Sequence, residues 1–164
     1  TIARSLVNEP SLLLLDEPTT GLDPQARHLL WDRLFRLRET GVTLVLTTHY
    51  MDEAEQLCER LVVMDAGRIV AEGSPAHLIR THAGREVVEV RFGAQRSNEV
   101  APHLAGIGQR TEVLPDRILL YTETGESDLH EIVARGLTPT TALVRRASLE
   151  DVFLRLTGRT LVDE

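Results

Sequence analysis

The sequence predicts an α/β chain in two parts: a parallel sheet flanked by helices to residue 81, then a small α+β unit from residue 82 to 164. Three observations carry this. Continuous apolar runs at Ser11 to Leu15 and Val42 to Thr48 are separated by a helical pattern, the β-α-β order of a parallel sheet. Asp65-Ala66-Gly67 divides the stretch from Leu61 to Gly73, LVVMDAGRIVAEG, into a hairpin. After His82-Ala83-Gly84 the texture shifts to strands and short helices in an order close to β-α-β-β-α-β, the ferredoxin-like arrangement.

Thr1 to Leu6 reads as the tail of a helix already under way, with no cap before it, as expected of a chain cut from something longer. Asn8, Glu9 and Pro10 break it. Ser11 to Leu15 fits a strand buried on both faces. Asp23-Pro24 then opens a helix with a capping carboxylate and a first-turn proline. Leu30, Leu34 and Leu37 form its inner stripe, Arg33, Arg36 and Arg38 its outer side, and Gly41 ends it. Val42 to Thr48 is a second buried strand, rich in β-branched residues. Met51, Ala54, Leu57, Cys58 and Leu61 follow at helical spacing, and Ser74-Pro75 caps a further short helix. Beyond residue 82, Glu86 to Phe92 alternates like a half-exposed strand. Asn98 to Leu104 and Ser127 to Arg135 suit helices, and Arg117 to Thr122 and Ala142 to Arg145 suit strands. Leu149 to Leu156 makes a last helix capped by Ser148.

Composition narrows the function. The chain of 164 residues, 42% hydrophobic and 26% charged, can bury a real core. A formal charge of −7 argues against nucleic acid held by a broad basic field. All 18 basic residues are arginine, so no G-x-x-x-x-G-K-[ST] phosphate loop exists in this chain. One cysteine, Cys58, excludes a disulfide framework and suits a reducing compartment. The six histidines show no metal-ligand spacing. No apolar run approaches the roughly 18 residues of a membrane span.

Chemistry concentrates at the ends of the two apolar runs. Leu12 to Pro24, LLLLDEPTTGLDP, places Asp16 and Glu17 at the end of the first strand, and His49 follows the second. In a parallel sheet both positions open into the crevice at the carboxyl edge, where ligands bind. Two acids and a histidine there suit phosphoryl transfer to water: Asp16 holding Mg²⁺ through waters, Glu17 polarising the attacking water, His49 meeting the γ-phosphate. Taken singly, each residue has a plainer explanation. An Asp-Glu pair can be a turn, a lone histidine is more often packed, and Asp23 is a good helix cap whatever the function. Cys58 suits core, and Asp52, Glu53 and Glu55 suit a solvated helix face.

The whole string outweighs those separate explanations. LLLLDEPTTGLDP resembles the Walker B strand, catalytic glutamate and D-loop of an ATP-binding-cassette (ABC) ATPase. Thr48 to Pro75, THYMDEAEQLCERLVVMDAGRIVAEGSP, resembles the switch-histidine segment and following hairpin. In detail the chain is similar to the daunorubicin-resistance and nodulation-type exporter ATPases, and SLEDVFLRLTG, Ser148 to Gly158, resembles the end of their accessory domain. The resemblance implies that Asp16 coordinates Mg²⁺, Glu17 activates water, His49 is the γ-phosphate switch, and Leu22 and Asp23 form a D-loop reaching across a dimer. It implies a fold formed by the C-terminal part of the P-loop cassette, residues 1–81, with an accessory domain at 82–164. It also implies ATP and Mg²⁺ as cofactors, a second ATPase subunit and a membrane-spanning permease as partners, and a place on the cytoplasmic face of the membrane.

In that family the phosphate loop, glutamine loop and signature lie upstream, and Thr1 to Leu6 resembles the stretch just after the signature. The expectation is therefore a piece inactive by itself, belonging to an exporter subunit that hydrolyses ATP in a head-to-tail dimer. The alternative is a soluble ABC-type ATPase without a transporter. Such relatives carry basic or coiled-coil insertions that this chain lacks.

Overall fold

A computed structural model describes residues 2–93 and 96–158; the expectations for Thr1 and for residues 159–164 lie outside them. A short helix, α1 (Ile2–Ser5), leads into β1 (Leu12–Asp16), α2 (Pro24–Glu39) and β2 (Thr43–Thr47). β1 and β2 pair in parallel, Leu12 opposite Thr43 and Asp16 opposite Thr47, so the two strands end side by side. α2 starts as its sequence dictates: Asp23 Oδ1 accepts from the Ala26 N–H at 2.9 Å, and Pro24 fills the first turn. Leu34 is its fully buried anchor and packs with Leu13, Leu15 and Leu57.

Two expectations need correction here. Neither strand is buried on both faces: Leu13 and Leu15 of β1 point into the core and Leu44 and Leu46 of β2 are half-buried against it, while Leu14 is 69% and Val45 52% exposed. Among the described residues this sheet has two strands, with α2 against one face. Arg38 is not wholly an outer residue, since its guanidinium donates to the Leu57 carbonyl at 3.0 Å.

The next helix, α3 (Met51–Leu57), ends earlier than its apolar spacing suggests. Cys58 is its C-cap in an extended conformation and Leu61 already begins β3 (Leu61–Asp65). β3 and β4 (Arg68–Gly73) form the expected antiparallel hairpin. Ala66 and Gly67 both take positive φ, 46° and 73°, the requirement of a tight two-residue hairpin turn. α4 (Pro75–His82) is capped by Ser74, whose Oγ accepts from the His77 N–H.

The remainder builds a four-stranded antiparallel sheet from β5 (Glu86–Arg91), β6 (Arg110–Val113), β7 (Ile118–Thr122) and β8 (Thr141–Arg146), in the order β6-β7-β5-β8. Between β5 and β6 lies α5 (Ser97–Val100), continued as a 3₁₀ turn over Ala101–Leu104. α6 (Gly125–Ala134) connects β7 to β8, and α7 (Leu149–Thr157) closes the described chain. The βαββαβ order and this strand sequence are the ferredoxin-like arrangement the sequence predicts.

β5 is a central strand rather than a half-exposed one. Val87, Val88 and Val90 are all fully buried, Val87 towards α4 and α7, Val88 and Val90 towards α6 and the 3₁₀ turn. Its acidic residues are engaged rather than solvated. Glu86 Oε2 accepts from the Gly125 N–H at 2.9 Å, and Glu89 lies among Arg91, Arg117 and Arg145. One apolar cluster runs through residue 82, joining Ala54, Val63 and Leu78 to Val87, Leu119, Leu149 and Val152.

Candidate functional site

The parallel register sets the site. Because Asp16 lies opposite Thr47, the residue after each strand emerges at the same edge: Glu17 from β1, and the Thr48-His49 turn from β2. Thr47 ties them together. Its Oγ1 donates to Asp16 Oδ1, and its carbonyl oxygen and Oγ1 both receive the Glu17 N–H, at 3.0 and 3.2 Å. Glu17 adopts φ +43°, a left-handed conformation that a non-glycine residue holds at a cost of roughly 1–3 kcal/mol. That double acceptor fixes it there.

The strained backbone turns the Glu17 carboxylate towards His49. Glu17 Oε1 lies 3.3 Å from His49 Nδ1, and Oε2 accepts from Thr20 Oγ1 at 3.1 Å. Both side chains remain about half exposed, 48% and 41%, so the cluster faces open solvent. The His49 ring stacks on Tyr50 at 4.1 Å, and the Arg27 guanidinium sits 4.0 Å above the Tyr50 ring. Arg27 also pairs with Asp52 at 3.7 Å. A cation on α2 thereby holds the start of α3, immediately after the histidine.

The structure brings Asp16, Glu17 and His49 together, as expected. Leu22 and Asp23 stand further along the same loop. The Leu22 N–H bonds the Thr19 carbonyl at 3.1 Å, its side chain is 37% exposed, and the Asp23 carboxylate is occupied in capping α2. The cap uses Asp23 Oδ1 alone, and the residue is exposed. Thr47 and Thr20 were not singled out from sequence. The available signal was that a threonine at the end of a strand, beside a carboxylate on the neighbouring strand, carries a hydroxyl in reach of it.

No group of three or more His, Cys, Asp or Glu side chains converges on a common point among the described residues. The donor set at the edge is one aspartate oxygen pair with a threonine hydroxyl, all hard oxygens. That suits Mg²⁺, which keeps several waters and takes one or two protein carboxylates beside phosphate oxygens. A cavity of about 330 Å³, lined by Arg117, Arg145 and Asp151, shares no residue with this edge.

Residues 96–158 match the family described as "Nodulation factor export protein NodI, C-terminal domain", and residues 1–51 match an AAA domain described as "putative AbiEii toxin, Type IV TA system". The chain is 49% identical over 166 aligned residues to a Nod factor export ATP-binding protein I from Burkholderia pseudomallei, covering 99% of this chain and 52% of that one. It is 50% identical over 159 residues to the protein of the same description from a Rhizobium species, covering 97% and 51%. The chain thus spans about half the length of the curated relatives it matches. Among solved structures, cbiO1 from Clostridium perfringens, described as part of the ABC transporter complex cbiONQ, is 38% identical over 48% of this chain and 32% of its own, with a TM-score of 0.44.

Proposed function

From a chain homologous over almost its whole length to ABC transporter ATP-binding subunits of the nodulation-export type, we propose that the intact protein hydrolyses ATP to drive an exporter. The observation that carries this is the cluster Asp16–Thr47–Glu17–His49 at the carboxyl ends of two adjacent parallel strands. In this reading Asp16, oriented by Thr47, holds Mg²⁺ through its waters. When bound, the ion neutralises charge on the phosphates of ATP. Glu17 accepts a proton from the attacking water and keeps its carboxylate aimed through Thr20 and His49. His49 faces Glu17 through Nδ1 and in this reading meets a terminal phosphate oxygen of ATP. Leu22 and Asp23 meet the partner subunit across the dimer.

The same proposal divides the chain at residues 81 and 82. Residues 1–81 carry the hydrolytic edge, and 82–164 form an accessory unit around the four-stranded sheet. The partners are a second copy of the ATPase subunit and a separate permease. In this reading the subunit sits peripherally on the cytoplasmic face of the membrane, and no described helix is long and apolar enough to cross it. By itself this chain is expected to be inactive, since with no lysine it offers no phosphate loop.

The test is ATP hydrolysis by the full-length protein, wild type against Glu17→Gln. The expected result is a fall of at least about 10²-fold in kcat with Mg-ATP binding retained. Turnover by Glu17→Gln equal to wild type would remove Glu17 from the chemistry.

A further inference from the structure

Resting on that functional reading, we propose that Glu55 is a positioning residue for hydrolysis, which makes the C-terminal helix a structural part of the ATPase edge. Glu55 Oε1 accepts the N–H of Leu149, the first residue of α7, at 2.6 Å across 94 positions of sequence. The contact satisfies an otherwise unpaired donor at a helix start and sets a carboxylate against the positive end of the helix. α7 caps itself only in part. Ser148 and Asp151 form a reciprocal capping box, with Arg145 gripping Asp151 at 2.7 and 2.9 Å, and the Leu149 N–H is left for Glu55.

α3 is the element that needs the help. Its seven residues are too few to be stable as an isolated helix, and Tyr50, its N-cap, gives no side-chain cap. Its position is therefore set from outside, on two flanks. On one, α2 holds it through Arg27 on Tyr50, Trp31 Nε1 donating to Glu53 at 3.1 Å, and Arg38 on the Leu57 carbonyl. On the other, α7 holds it through Glu55 and through the apolar cluster that joins Met51 and Ala54 to Leu149 and Val152. His49 lies two residues before α3 begins, so a shift of α3 moves the imidazole relative to Glu17. Displacements on the order of 1 Å, far from the reacting atoms, are enough to cost large factors in rate.

The experiment uses the full-length protein and compares wild type, Glu55→Ala, Glu55→Gln and Ser148→Ala. Kinetics are read as kcat and KM separately, and hydrogen exchange is followed in the peptide spanning residues 48–57. Glu55→Ala is expected to lower kcat roughly tenfold with KM for ATP within about twofold, and to raise exchange in 48–57 several-fold. Glu55→Gln keeps an acceptor oxygen and is expected to restore most of both. Ser148→Ala loosens α7 without touching α3 and is expected to lower the melting temperature while kcat stays near wild type. The proposal is overturned if Glu55→Ala leaves exchange in 48–57 unchanged, if Glu55→Gln fails like Ala, or if Ser148→Ala loses kcat in step with Glu55→Ala. Should wild type not hydrolyse ATP at all, the functional reading falls, and the exchange comparison alone then decides whether Glu55 braces the His49 segment.

Discussion

β1 (LLLLD), from the parallel pair, and β7 (ILLYT), from the four-stranded sheet, are comparably apolar strands, yet they end in different situations. In the first, Leu13 and Leu15 are buried against α2 while Leu12 and Leu14 remain 50% and 69% exposed. In the second, every residue of β7 from Ile118 to Thr122 is buried, because one face meets α4 and α7 and the other meets α6 and the 3₁₀ turn. The difference lies in coverage and not in strand composition. A run such as LLLL specifies a strand that can be buried twice, and the surrounding elements decide whether it is. In this chain, which spans about half the length of the curated relatives it matches, the open face belongs to the part with Asp16, Glu17 and His49 and the sealed core to the other.

The sharpest way to break that contrast is Ile118→Ala. With Ile118 fully buried, the substitution is expected to lower stability by about 2–5 kcal/mol, read from urea unfolding of a chain of these 164 residues. A cost below 1 kcal/mol would mean the four-stranded core is not sealed. Next comes Asp151→Asn. Burial alone would raise the Asp151 pKa, but hydrogen bonds and charge from Arg145, with the Ser148 N–H, outweigh it and hold the carboxyl below its usual range. A carboxyl depressed in the folded state contributes stability that is complete above the unfolded value near 4 and lost as pH falls through the lower folded value. Asp151→Asn is expected to cost about 2–3 kcal/mol at neutral pH. The gap between variant and wild type is expected to narrow below about pH 4. A gap independent of pH would show that the Arg145 pairing contributes little. The smallest effect is expected from Leu14→Ser, within about 0.5 kcal/mol in the same chain, because the side chain is already largely in water. A loss near that of Ile118→Ala would place Leu14 in a core.

Local chemistry was readable where one residue determines an outcome. Asp23-Pro24 and Ser74-Pro75 each start a helix as written, and Ala66-Gly67 turns the hairpin. The cluster of Asp16, Glu17 and His49 was readable because each ends or follows a strand and parallel pairing brings such ends together. What stayed hidden depends on partners distant in sequence. β6, Arg110–Val113, is four residues of alternating character on a sheet edge, with nothing to mark it apart from a loop. β5 looked half exposed because Glu86 and Glu89 alternate with valines, and their burial rests on the Gly125 N–H and on Arg117 and Arg145. Glu55 looked like part of a solvated acidic face, since its partner is 94 residues away.

Tyr121 shows the same long-range logic in its ionisation. Burial, then the charges of Asp151 and Glu112, raise its phenol well above the ordinary tyrosine value, against the opposing pull of Arg110 and Arg145. Its hydroxyl lies 3.3 Å from Asp151 and 3.4 Å from Glu112, and the Arg110 guanidinium covers the ring at 3.7 Å.

The placement of Val87 on one side of β5 and of Val88 and Val90 on the other has a kinetic consequence. A strand with side chains committed to two layers has no tolerable slip: moving its pairing by one residue would send Val87 and Glu89 to the α6 side and Val88 and Val90 to the α4–α7 side. Neither layer can therefore settle on β5 in the wrong alignment and wait for the other. The two layers are expected to order together, with this strand as the shared ruler.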